Sequence, residues 1–414
     1  MRANRGDSAL TRREFATSVG VAMTGLVAHT SSHAAPLRPD AEIGRYNYVI
    51  GTQTFSPAYR FTRQTSLVET AQAILDMGSN ILKITLGADY SRKYPGVSAN
   101  PALRSLQDLV RDEPSFRQVL KMPFTHYILW TYPFSGMHWQ TGLSSEAARA
   151  EYQELKEFVR YLLTAYNRSG KVFLLGHWEG DWYLHPNYNP SVVPTPKALE
   201  GMIAWLNNRQ KAVEDAKRET PHEDIAVYHY TEVNLVAKAM KGGKALTNAV
   251  LPQTQVDYVS YSSYDSLSDR EEKIHTDLSS ALDYIEAHLP PKPGLAGKRV
   301  FIGEYGFPAE KYTPMKQMQL SRAVMETALE WGCPYALYWE VYNNEVENGK
   351  QRGFWLINDR GEKQLVYHLH ARILQQAKMY VVDFRKAHGR LPSADEYRRS
   401  TLSLLQASAH TPMR

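Results

Sequence analysis

Two glutamates in this chain stand at the mouths of apolar runs. One follows Val300-Phe301-Ile302-Gly303 as Glu304, ahead of Tyr305-Gly306, and the other closes Val172-Phe173-Leu174-Leu175-Gly176-His177-Trp178-Glu179. Such β-branched and aromatic runs, stopped by glycine or a polar residue, read as buried strands, and side chains at the carboxyl ends of parallel strands face a shared mouth. Two acids held there match the needs of glycosidic-bond cleavage. In its retaining form one carboxylic acid protonates the leaving oxygen and one carboxylate attacks the anomeric carbon, about 5 to 5.5 Å apart. Glu304, placed directly after its strand, suits the nucleophile. Glu179 sits among Trp178, Asp181 and Trp182, where burial beside indoles raises a carboxyl pKa and keeps a general acid protonated. Taken singly, either glutamate could instead accept backbone hydrogen bonds or pair with a Lys or Arg. The coincidence of two, each with aromatic neighbours, favours chemistry. Glu340, immediately after Trp339, is a rival carboxylate; it ranks below Glu304 because the Gly-Glu-Tyr-Gly setting lets backbone approach closely.

The elements that must position these acids follow from periodicity. Strands are expected over 48–53, 80–86, 127–132, 172–176, 225–230, 256–261, 299–303 and 335–339. Between them, apolar residues at helical spacing predict helices over 67–76, 145–166, 195–217, 269–289 and 314–331, with a long helix over 365–386 after the last strand. Eight strands alternating with helices imply a parallel sheet that closes as a (β/α)8 TIM barrel, a single α/β domain. The domain is expected over 36–390, with residues 391–414 as a helical extension packed outside.

On these motifs the chain resembles the large clan of retaining glycoside hydrolases that carry the acid/base after strand four and the nucleophile after strand seven, the cellulase-, mannanase- and galactanase-like enzymes. Gly78-Ser79-Asn80-Ile81-Leu82-Lys83 is similar to the clan's second-strand motif, with Lys83 where Arg is usual. Gly303-Glu304-Tyr305-Gly306 resembles its nucleophile motif. The run 335–339 resembles its eighth strand, whose terminal Trp, here Trp339, forms the platform under the sugar in subsite −1. Gly353-Phe354-Trp355-Leu356 with Asp359-Arg360-Gly361 resembles the turn that follows. Many members place Asn before the acid/base; here Trp178 stands there, and His177 gives the loop a mannanase-like flavour shifted by one residue. The resemblance further implies a sixth-strand Tyr that hydrogen-bonds the nucleophile, which makes Tyr264 the choice over Tyr261. His229 and Glu232, at the end of strand five, are expected to hold a sugar hydroxyl or orient Glu304, and Trp130 to stack on substrate.

Composition sets the wider bounds. A hydrophobic share of 43% and a charged share of 22% are those of a globular chain with a large core. The formal net charge of +5 falls to +3 without the first 35 residues, which carry four Arg against one Asp and one Glu; that is too little to suggest nucleic acid. The lone Cys333 precludes an intramolecular disulfide and reads as packing. The 26 Tyr and 8 Trp gather near strand ends, where flat rings can stack on sugar faces. At the amino terminus, Thr11-Arg12-Arg13-Glu14-Phe15, a weakly apolar stretch and Ser32-His33-Ala34-Ala35-Pro36 resemble a twin-arginine export signal over residues 1–35, against the alternatives of an ordinary amphipathic leader or a disordered basic tail. That signal implies a bacterial protein exported already folded, to the periplasm or beyond. From the paired acids the expected partner is a carbohydrate substrate, with no cofactor, and no apolar run approaches the roughly 20 residues of a membrane span. Two other classes stay open: a metal-dependent barrel hydrolase using His177, Asp181, His185 and His229, and a barrel that binds carbohydrate without turnover.

Overall fold

A computed structural model describes residues 39–408. Eight parallel strands form a closed barrel: β1 (Ile50–Gln53), β2 (Ile81–Leu86), β3 (His126–Thr131), β4 (Val172–Gly176), β5 (Ala226–Val233), β6 (Tyr258–Ser262), β7 (Val300–Tyr305) and β8 (Ala336–Tyr338). The ring closes where Ile50 pairs with Ala336 and Thr52 with Tyr338. Strand alternation sorts the side chains into two layers. Ile81, Ile128, Leu174, Tyr230, Phe301 and Leu337 fill the barrel interior, while Leu82, Leu129, Leu175, Val227, Val259 and Ile302 face the surrounding helices. Gly176 is demanded by this interior, since a Cβ there would lie 2.4 Å from the Tyr230 ring.

The helices start where side chains can satisfy orphan amides. Ser144 accepts from the Ala147 N–H ahead of Ser145–Ala165, Thr195 from Ala198 ahead of Pro196–Glu219, and Thr313 from Lys316 ahead of Pro314–Trp331. The expected elements are all present, with ends shifted by a few residues. Two shifts matter: β5 runs on to Val233 and β7 to Tyr305, so Glu232 and Glu304 lie within their strands rather than beyond them. The sequence reading passed over three short helices between β2 and β3, Tyr90–Lys93, Leu106–Asp112 and Pro114–Lys121. The carboxyl-terminal helix Ala394–Ser408 packs on Pro314–Trp331 and Leu365–His388, and Tyr397 donates its hydroxyl to the Tyr48 carbonyl at 2.8 Å, below β1. Cys333 is fully buried. Among the described residues no helix is long and apolar enough to cross a membrane. The export signal expected over 1–35 lies outside the described residues.

Candidate active site

A bulge aims the nucleophile candidate. Ser260 pairs with Phe301 and Tyr261 with Ile302, but Ser262 pairs with Glu304, leaving Gly303 as the extra residue. Strict alternation after the outward Ile302 would turn Glu304 outward as well; one inserted residue turns it in, as bulges beside active sites do. The insertion must be glycine, because a Cβ on Gly303 would stand 1.7 Å from Ser260 Oγ.

Glu179 follows β4 and is 8% exposed; Glu304 is 2% exposed. Ser262 Oγ lies 2.5 Å from Glu179 Oε1 and 3.4 Å from Glu304 Oε2. The other Glu179 oxygen accepts from the Trp182 indole N–H. Lys83, fully buried, donates to Glu232 Oε2 at 2.9 Å and to the Gly303 carbonyl at 3.1 Å, and its ammonium is 3.4 Å from Glu304 Oε1. Glu232 also accepts from Ser260 Oγ at 2.6 Å and from the Glu179 backbone N–H at 3.0 Å. Two of the three carboxyls, Glu232 and Glu304, therefore share one buried cation. Burial pushes the Glu179 carboxyl up to about 7; the Ser262 and Trp182 donors pull it back, and the Glu232 charge adds to the rise. Burial also raises Glu304, with the Lys83 ammonium opposing it and the Glu232 and Glu179 charges adding to it. Lys83 is a neighbour of Glu304 and Glu232 and bonds neither oxygen of Glu179, on which its charge acts only from a distance.

Beside the acids opens a cleft of about 400 Å³, lined by Phe55, Trp130, Tyr132, Trp178, Tyr183 and Trp339 among others. The acids themselves are not part of its wall; Lys83, beside Glu304, reaches it at the Trp130 ring. Phe55 stacks between Trp130, 3.8 Å centroid to centroid, and Trp339, 5.4 Å away, and the Lys83 ammonium rests 4.5 Å over the Trp130 ring. Trp339 is oriented by its indole N–H on Glu345 Oε1 at 3.1 Å.

Several expected site residues do other work. Glu340 is wholly buried, and its Oε2 accepts the Phe55 backbone N–H at 2.7 Å; it fixes the loop after β1 rather than facing substrate. Tyr264 makes no hydrogen bond to Glu304, and its buried hydroxyl has no partner among the described residues. It lies on a short helical turn past the end of β6, whereas Ser262, the last inward residue of that strand, holds the contact. Tyr261 points outward to Asp265 and Ser266.

His229 faces the helix layer, against Gln210 Oε1 at 3.2 Å and Arg209 Nε at 3.4 Å, because the two-residue period puts Tyr230 and Glu232 inside instead. His177 meets Thr231 Oγ1 at 2.7 Å and packs on Trp205; burial pushes its imidazole down to about 3, so it is neutral. Asp181 is spent on the backbone N–H groups of Asn234, Leu235 and Leu246. His185 lies between the Val192 carbonyl and Lys238. These four donors point to separate partners, and no group of three potential metal ligands occurs among the described residues.

Sequence reasoning passed over Ser262, Ser260 and Phe55. The Ser260-Tyr261-Ser262 alternation carried the signal for the two serines; nothing marked Phe55. It also passed over a buried layer behind β3 and β4. There Arg209 binds Glu151 at 2.6 Å, the Thr131 hydroxyl at 2.6 Å and the Gly176 carbonyl at 3.4 Å, tying the strand that ends before Glu179 to the helices behind it.

No protein-family model matches the chain, nor does any curated protein. Solved structures are similar in fold. A GH5_18 protein from Streptomyces cattleya, in complex with Manb1-4GlcNAc, matches at 10% identity with a TM-score of 0.54 over 87% of this chain and 91% of that one. GH5_18 from Bifidobacterium longum subsp. longum matches at 13% identity and a TM-score of 0.54, covering 80% of this chain and 79% of that one. A family 39 glycoside hydrolase from Bacteroides cellulosilyticus matches at 12% identity and a TM-score of 0.49 over 81% of this chain; the chain spans 65% of its length. The shared feature is the eight-stranded barrel.

Proposed function

We propose that this chain is a glycoside hydrolase that cleaves a poly- or oligosaccharide with retention of anomeric configuration, Glu304 acting as nucleophile and Glu179 as acid/base. One observation carries the reading: a single hydroxyl, Ser262, spans the two carboxyls. The bridged oxygens can be no further apart than those two contacts laid end to end. That is short of the roughly 6.5 to 9.5 Å that an inverting pair leaves for a water and suits the about 5 to 5.5 Å of a retaining pair. A hydroxyl also owns one proton. It can donate to one carboxyl and accept from the other, so the trio is complete when the two acids hold one proton between them, as the first step needs. Glu304 then attacks the anomeric carbon as Glu179 gives its proton to the departing oxygen, leaving a glycosyl ester on Glu304. In the second step Glu179 takes a proton from water, the water oxygen bonds the anomeric carbon, and Glu304 leaves as carboxylate. Trp339 and Trp130 supply apolar faces for the sugar.

The likeness in fold to the two GH5_18 structures, one of them in complex with Manb1-4GlcNAc, supports the class. Of the expected substrate contacts, Lys83, Trp130, Trp178, Trp182, Glu232 and Trp339 surround the pair or its cleft. The reading also takes residues 36–390 as the catalytic barrel, 391–414 as its extension and residues 1–35 as a twin-arginine signal, giving a periplasmic or secreted enzyme. The test is a screen of the chain from Pro36 onward against plant, fungal and bacterial polysaccharides, with product anomers followed by NMR. Retention, lost in Glu304→Gln, is expected. Inverted products refute the double displacement, and a Glu304→Gln variant as fast as the parent refutes catalysis by this pair.

A further inference from the structure

The loop after β4 carries aromatic rings from the cleft out to solvent. Trp178 and Tyr183 line the cleft. The Trp178 ring meets Tyr183 edge-on at 5.9 Å and 87°, and Tyr183 meets Tyr188 at 5.8 Å and 64°. Tyr188 is 57% exposed, and Val192 and Val193 beside it in sequence are 41% and 64% exposed. Tyr188 thus ends the line of rings with its face open to solvent, where a further ligand unit could stack.

The loop is built to hold this ring in place. Tyr188, with φ of 56°, takes a left-handed conformation that a bulky residue keeps only where the surroundings enforce it; Asn187 before it, φ 53°, tolerates the region more readily. His185 Nδ1 meets the Val192 carbonyl at 2.6 Å, and Lys238 donates to the Pro190 carbonyl at 2.6 Å and to His185 Nε2 at 3.1 Å. The inner end is fixed too, since the Trp178 N–H donates to the Tyr132 hydroxyl at 2.9 Å.

The occupant follows from Glu179. A group that protonates the leaving oxygen faces the leaving part of the substrate, and Trp178, Tyr183 and Tyr188 belong to the same loop as Glu179. We propose that these three rings form a row of stacking positions for the sugar units on the leaving-group side of the scissile bond, so that the substrate is a chain extending past the cleft. This rests on the glycosidase reading.

The test is calorimetric titration of the full chain carrying Glu304→Gln with β-1,4-linked gluco-, manno-, xylo- and galacto-oligosaccharides of two and of five units. In at least one series affinity rises with length. Adding Tyr188→Ala removes about 3- to 10-fold of that gain, the worth of one aromatic stacking contact, while Tyr188→Phe keeps it. Affinity that does not rise with length in any series, or a rise that survives Tyr188→Ala, overturns the row. The two failures are separable: a parent enzyme that turns over short glycosides but gains nothing from length loses only the row, whereas one that turns over no glycoside loses the reading beneath it.

Discussion

The proposed double displacement needs Glu179 to keep a proton at the pH where Glu304 has none, and Lys83 is placed to favour that division. Both are buried, but only Glu304 has the Lys83 ammonium at its edge. The turnover number divided by KM should therefore fall as pH rises through about 7, where Glu179 ionises. In Glu179→Gln that basic limb should vanish, along with about 10²–10⁴ of the rate on substrates with poor leaving groups, and much less on activated aryl glycosides that need no proton. A pH profile on both substrate types reads this; a basic limb that survives in Glu179→Gln assigns it elsewhere. Stability carries the same signature with a definite sign. A carboxyl raised in the folded state favours folding below its ordinary range, near 4.5, and that contribution is lost as pH rises to about 7. An amide has no such loss, so Glu179→Gln should unfold at a higher temperature than the parent at pH 8, by up to about 3 kcal/mol in stability, and the advantage should close as pH approaches 4.5. Melting curves across that range decide it.

At the level of elements, the strand pattern was legible and the places where it breaks were not. Short apolar, β-branched and aromatic runs marked all eight strands, since a closed parallel barrel buries both faces of each strand and leaves near-continuous hydrophobic sequence. Inside such a run, periodicity does not say which residue is inserted. The bulge at Gly303 was invisible for that reason, and with it the fact that Glu304 is a strand residue facing Ser262. The same two-residue period, carried to the true end of β5, sends His229 to the helices and Glu232 to the acids; the sequence reading ended the strand at 230 and grouped the two. The bulge makes a specific prediction. In Gly303→Ala the new methyl collides with Ser260 Oγ and crowds Glu232 Oε2, 3.1 Å away, so β7 must shift and carry Glu304 off its contact with Ser262. Activity should drop by at least about 100-fold, in line with the cost of an ångström-scale misplacement, with a smaller loss in melting temperature. Ser260→Gly removes the colliding atom and should restore part of the rate in the double variant. Additive losses in that cycle would mean that the glycine serves the backbone alone.

For the molecule as a whole, the proposed chemistry and the carboxyl-terminal packing sit at opposite ends of the barrel, the division of labour this architecture allows. The acids and the cleft gather where the strands end, while the chain's last helix binds where they begin. That helix buries Tyr397, Thr401 and Leu405, and its hydroxyl contact is to Tyr48, just ahead of β1. Its presence was readable from an amphipathic pattern near the carboxyl terminus, but its place was not, because periodicity names a buried face without naming what covers it. Removing residues 391–414 would uncover the surfaces of Pro314–Trp331 and Leu365–His388 on which the helix packs and take from the Tyr48 carbonyl one of its two donors, the other being the Ile50 N–H. Losing that hydrogen bond alone costs about 1 kcal/mol, and exposing the apolar contacts adds to it at roughly 25 cal/mol per Å². The truncated enzyme should thus melt several degrees lower, while well below that melting temperature its turnover of a glycoside stays within about twofold of the parent. Thermal unfolding followed on the samples used for kinetics separates the two effects. A truncated protein that keeps its fold yet loses turnover would tie this distal helix to the geometry of Glu179 and Glu304, and the separation of scaffold from chemistry would fail.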